Sequence, residues 1–116
     1  MKLPRIKDTK LIHYIKEDTF MKFYAIDQTI DVVETPVEET GRLIRHLHLA
    51  KGKQIPEHKA DALVTVVCLE GKVDFTALGE TVQMLPGTFL TMEPNELHSL
   101  YGVEESHVLV IQQLIY

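Results

Sequence analysis

The sequence predicts an all-β domain, a sandwich or small barrel, on three observations. From residue 42 onward, turn signals recur at intervals of roughly ten residues, the rhythm of short strands folded onto one another. Segments between the turns alternate apolar and polar residues, as in Val73-Asp74-Phe75-Thr76-Ala77, so one face of each suits a core. No stretch in this region carries the apolar period of a helix.

Taken in order, Arg42 to Ala50 reads as a strand closed by Lys51-Gly52. Leu63-Val64-Thr65-Val66-Val67-Cys68-Leu69 is almost wholly apolar and β-branched, as a strand covered on both faces should be. Glu70-Gly71-Lys72 turns the chain into strand 73–77, and Leu78-Gly79-Glu80 turns it again into Thr81–Leu85, a hairpin signature. Phe89–Met92, His98–Tyr101 and His107–Ile115 supply further strands, with one continuous extended run expected over 58–69. The first 41 residues are less regular. Asp8 to Lys16 suits a short helix capped by Asp8 or Thr9, while Phe20–Ala25 and Ile30–Glu34 look like strand pieces. The acidic stretch from Glu34 to Gly41 reads as a polar loop with solvated charge.

At 116 residues the chain is expected to form one domain over 1–116, with an extension over 1–41 ahead of the strand-rich region 42–115. A domain of this size buries roughly two-thirds of its unfolded surface. Its 45% apolar and 25% charged content is that of an ordinary soluble protein. A net charge of −5 and the lack of a Lys/Arg cluster argue against nucleic acid as a partner. No apolar run approaches the ~20 residues of a membrane helix, and no apolar segment follows the basic N-terminus as in a signal peptide. The single Cys68, inside an apolar strand, reads as a buried reduced thiol, so a cytoplasmic location is expected.

The residues with chemistry to offer are histidines, at 13, 46, 48, 58, 98 and 107. His46 and His48 lie two apart on one strand and so share a face, the way a strand offers two imidazoles to one ion. Either that face or the Leu43, Leu47 and Leu49 face points inward. His58 and His98 end two segments with one grammar, a glycine, an extended stretch, a proline and a histidine: Gly52 to Pro56 to His58, and Gly87 to Pro94 to His98. His13 and His107 lack such a frame and read as structural or exposed. Arg42, Arg45, Tyr24 and Tyr101 are candidates to anchor an acidic substrate, though nothing in their spacing distinguishes them.

These two segments resemble the paired motifs of the cupins, small jelly-roll β-barrels, and specifically the small single-domain cupins of the type-2 conserved-barrel family. Gly52, His58 and Gly71 match the first motif, and Gly87, Pro94 and His98 the second, with one extra residue before Pro94. The resemblance covers about residues 42–115 and implies an all-β jelly-roll barrel with a short N-terminal extension. It also implies a divalent metal bound by three histidines and a glutamate, supporting dioxygenase, isomerase or decarboxylase chemistry in some members. Here the second histidine and the glutamate are replaced by Ala60 and Val64. His46 and His48 are then the candidates to complete the set with His58 and His98, in one cavity, with Asp61 a weaker substitute. An all-histidine set favours Zn, Ni, Fe or Cu over Mg or Ca. The alternatives are a metal-free module that binds or senses a small molecule in the barrel, with His58 and His98 as hydrogen-bonding groups, and a packed barrel with no ligand. The long apolar C-terminal strand, added to the leucines of 43–49, predicts a homodimer.

Overall fold

A computed structural model describes residues 21–114 and the backbone of 11–13. In chain order the strands are β1 (Leu11–His13), β2 (Phe23–Tyr24), β3 (Val33–Glu39), β4 (Arg42–Leu49), β5 (Gln54–His58), β6 (Leu63–Glu70), β7 (Val73–Ala77), β8 (Glu80–Met84), β9 (Phe89–Met92), β10 (His98–Gly102) and β11 (Ser106–Gln113). A four-stranded sheet, β5-β10-β7-β8, faces a five-stranded one, β3-β4-β11-β6-β9, while β1 and β2 form a separate pair. All pairings are antiparallel. The chain is thus the all-β barrel of two packed sheets that its turn spacing predicts, in the jelly-roll form that the resemblance implies. Among the described residues no helix is long and apolar enough to cross a membrane.

The core lies between the two sheets. Leu49, Cys68, Val73 and Val108 are completely buried there, packed with Val64, Val66, Phe75, Met84, Met92 and Leu100. Alternation along each strand selects these residues: on β6 it is Val64, Val66 and Cys68 that turn inward. Burial pushes the Cys68 thiol up from its ordinary range, against the smaller downward pull of the Glu70 carbonyl, so it stays a protonated core thiol.

Three local expectations are corrected. The run over 58–69 is two strands, because polar Lys59 to Ala62 leave the ladder and the Asn95 N–H donates to the Ala60 carbonyl at 2.8 Å. The acidic stretch after Glu34 is not a loop. It is the edge strand β3, with a register shift between Glu34 and Val37 that accommodates Pro36 where no ladder N–H is needed. The described part of the expected helix over 8–16, Leu11–His13, is strand β1 paired with β2, and the rest of that segment lies outside the described residues.

Gly71, the glycine that closes the first motif, shows why that position is restrictive. Its φ is +88°, and a Cβ built on it would overlap both the Ser106 Oγ and the Glu105 carbonyl. Gly52 has a similar φ of +83° but open space around it. Gly71→Ala should therefore destabilise the fold by about 3 kcal/mol or more, through overpacking added to backbone strain. Gly52→Ala should cost only about 1 kcal/mol from its backbone. Urea denaturation of both variants checks the difference, and equal losses would contradict the close approach at Gly71.

Candidate functional site

The four candidate ligands come together as two separate pairs. On β4 the alternation runs opposite to the one a shared cavity needs: Arg45 and Leu47 line the barrel cavity, while His46 and His48 face away from it. Leucine and valine hold the inward face on β4 and β11, and the outward face is not solvent. It is covered by the segment around Asp27 to Glu34, whose groups bond His46 and His48.

The inner pair is set by register. His98 on β10 lies directly opposite His58 on β5 and Ala77 on β7. The two imidazoles meet edge to face at 4.1 Å between centroids, and Phe75 stacks on His98 at 5.5 Å. Each ring donates its Nδ1–H to a backbone carbonyl two residues earlier, His58 to Pro56 and His98 to Glu96, both at 2.9 Å. Both Nε2 atoms are thereby left as lone-pair acceptors. Burial holds His98 below its ordinary imidazole value. The bond to Glu96 opposes that shift and the neighbouring His58 adds to it, so His98 is neutral at physiological pH.

Around this pair is a cavity of about 450 Å³ with largely apolar walls, among them Ile55, Val64, Val66, Phe75, Leu100 and Val110. Its polar groups are few: Arg45, Thr35 and Gln112, besides the two histidines. Arg45 and His58 are exposed at the rim, while His98 is buried. Among the described residues Arg45 has no carboxylate within ion-pair distance, whereas Arg42 is engaged by Glu39. Tyr24 and Tyr101 do not line the cavity.

The metal set of the cupin resemblance does not fit this interior. Val64, at the glutamate position, is an apolar wall residue, and Ala60 packs against the core. Among the described residues no third His, Cys, Asp or Glu joins His58 and His98, and two imidazoles fall short of the three or four protein ligands such an ion takes.

The outer pair has a third histidine that sequence reasoning passed over. β11 places His107 directly opposite His48 and Leu109 opposite His46, so His46, His48 and His107 share one face. His46 is fully buried between the Glu34 carboxylate, 2.6 Å from its Nδ1, and His107 Nδ1, 2.8 Å from its Nε2. The His107 ring lies edge to edge with that of His46 along this hydrogen bond, with centroids 5.0 Å apart, and its centroid is 4.9 Å from that of His48; it is buried rather than exposed. Glu34, expected as solvated surface, is only 12% exposed and also accepts the Asp27 N–H at 2.8 Å. The signal that would have found His107 is register: a strand antiparallel to a His-x-His strand, with its own histidine in phase.

A family model described as the AraC-like ligand binding domain matches residues 43–108, more than half of the chain. No curated protein matches. Among solved structures the chain is similar to a conserved protein of unknown function from Streptococcus pyogenes, at 26% identity and TM-score 0.70, over 78% of this chain and 79% of that one. It is also similar to an RmlC-like cupin family protein with a double-stranded β-helix fold from Methanocaldococcus jannaschii, at 20% identity and TM-score 0.72, over 83% and 93%. A third is a cupin superfamily protein from Desulfitobacterium hafniense, at 15% identity and TM-score 0.70, over 72% and 77%. At such identities the last two share the fold alone.

The lowered affinity of His98 for protons fixes a sign for stability against pH. The unfolded chain takes up a proton near the ordinary imidazole value of about 6.5 while folded His98 resists it, so stability is full above that value and falls as the pH drops through it. The denaturation midpoint should decline from about pH 7 to about pH 5, and His98→Gln should show a shallower decline. An unchanged slope in the variant would mean that His98 is not a source of the effect.

Proposed function

The chain belongs to the AraC-like ligand-binding domain family, with the cupin-type barrel, and from that premise we propose that it binds a small carboxylate with an apolar body inside the barrel. The observation that carries this reading is Arg45, a guanidinium with no carboxylate partner among the described residues, at the rim of an apolar cavity. A guanidinium grips a carboxylate with two parallel hydrogen bonds, and apolar walls beside it strengthen that attraction. His58 and His98 offer Nε2 lone pairs, which suit a hydroxyl or amine hydrogen on the ligand. A sugar is a poorer match, because so few polar groups line the walls that most of its hydroxyls would be left unpaired. The volume lies toward the small end of the usual range for ligand sites, about 300–1,000 Å³.

An ion in the cavity that acts on a small organic substrate is the weaker reading, since Ala60 and Val64 remove half of the ligand set it needs. The binding or sensing role is favoured for that reason. A panel of aromatic and branched hydroxy acids, each with its matched primary amide, tests the reading by thermal shift and calorimetry. The acids should stabilise the protein and the amides should not. Arg45→Ala should weaken acid binding by about tenfold to a hundredfold, the loss of a charged hydrogen-bonded pair worth about 1.5–3 kcal/mol. Equal binding by acid and amide, or by wild type and variant, would overturn it.

We further propose that the chain works as a homodimer. Supporting this, Val82, Leu85 and Phe89 stand 49%, 45% and 66% exposed across the end of β8 and into β9, and a second copy would cover them. Light scattering at micromolar concentration should give twice the chain mass, and a monomeric mass would end the proposal.

A further inference from the structure

Outside the barrel, the histidine cluster on the outer face of the five-stranded sheet has a donor deficit. The Nδ1–H of His48 is shared between the carbonyls of Ile30 and Asp31, at 3.1 and 3.0 Å. Its Nε2 is therefore a lone pair, and that atom is buried without a hydrogen-bond partner. The nearest charged atom is the Glu105 Oε1, at 3.8 Å, another acceptor and beyond hydrogen-bond reach. His107 is brought to the same state by a relay. Glu34 takes the Nδ1–H of His46, His46 Nε2 takes the Nδ1–H of His107, and the remaining nitrogen of His107 is left as a lone pair.

Three acceptors are thus gathered in one place, and ligand atoms of His48, His107 and Glu105 lie within 4.8 Å of one another. We propose that His48, His107 and Glu105 form a binding site for a divalent transition metal ion, of the zinc type, on the outer face of the barrel. Two imidazoles and one carboxylate are a three-ligand set that zinc takes with its fourth position open to water. Magnesium and calcium, which prefer oxygen, do not suit it. Both imidazoles are already oriented as ligands are, each giving its other N–H to a carbonyl or to a carboxylate-backed partner. Bonds of about 2.0–2.2 Å to a tetrahedral ion bring ligand atoms closer together than 4.8 Å. The adjustable member is Glu105, whose side chain is 72% exposed, against 19% for His48. The site lies on the opposite face of the five-stranded sheet from the barrel cavity, and the proposal does not rest on the carboxylate reading above.

The test uses untagged full-length protein stripped with a chelator and titrated with zinc chloride by calorimetry, with magnesium chloride as the control. One equivalent of zinc should bind at micromolar affinity or tighter, and magnesium should not bind. His48→Ala and His107→Ala should each abolish measurable binding, while His58→Ala and His98→Ala should leave it intact. Because buried His107 can matter for folding, Glu105→Gln is the safeguard: its exposed side chain can change without disturbing the core, and zinc affinity should fall by about tenfold or more. Wild type that binds no zinc at a hundred micromolar overturns the proposal. So does zinc binding that survives both His48→Ala and Glu105→Gln, or that is lost only with His58 or His98.

Discussion

The two-residue period of β4 is the constraint on which the rest of this molecule depends. β4 sits inside the five-stranded sheet, between β3 and β11, with the barrel interior on one face and, at His46 and His48, the segment around Asp27 to Glu34 over the other, so each residue there must suit one environment or the other. Arg45, Leu47 and Leu49 go to the barrel, and His46 and His48 go outward. A slip of one residue would put two imidazoles among Val66, Val110 and Leu100 and would turn Leu47 and Leu49 out. The direction is decided energetically by the leucines and by the in-phase Val108 and Val110 of β11, whose burial is worth about 1.5–3 kcal/mol per side chain. The histidines follow, and their polar atoms need partners on the far side, which Glu34, His107 and the carbonyls of residues 30 and 31 supply.

Legibility in the sequence follows the same physics. The strands from β4 onward could be read because alternation, β-branching and Gly/Pro turns are local signals, and local geometry fixes them. The pairing of His58 with His98 was legible through their shared glycine-proline-histidine frame, and β10 does set them opposite each other on β5. The direction of His46 and His48 was not, because a strand covered on both faces alternates between two buried environments and leaves no polar side to mark the outside. Glu34 was misread for a related reason, and His107, read as structural or exposed, was given no part in a site. A glutamate in an acidic run looks solvated, and an isolated histidine carries no sign of its partners, until the register sets one across from His46 and the other across from His48. Arg45 was named only among four unranked residues, since its distinction lies in what surrounds it.

The edge strand β3 ties the two environments together. Val33 pairs with Leu47 and Glu34 with His46, so adjacent residues serve opposite faces of one sheet. Val32, Val33 and Thr35 line the barrel cavity, while Ile30, Asp31 and Glu34 bond the outer histidines. An edge strand interrupted by a register shift at Pro36 has a weak hold on its own position, because it is laddered on one side only. The Glu34 carboxylate compensates, accepting both the His46 ring and the Asp27 N–H, and the Val32 carbonyl accepts the His48 N–H at 2.8 Å. The outer cluster therefore fixes the lip of the cavity whether or not an ion is bound. Whatever changes the charge or the partners of His46 and His48 acts on the entrance to the barrel through two consecutive residues, a contiguous physical link between the sites.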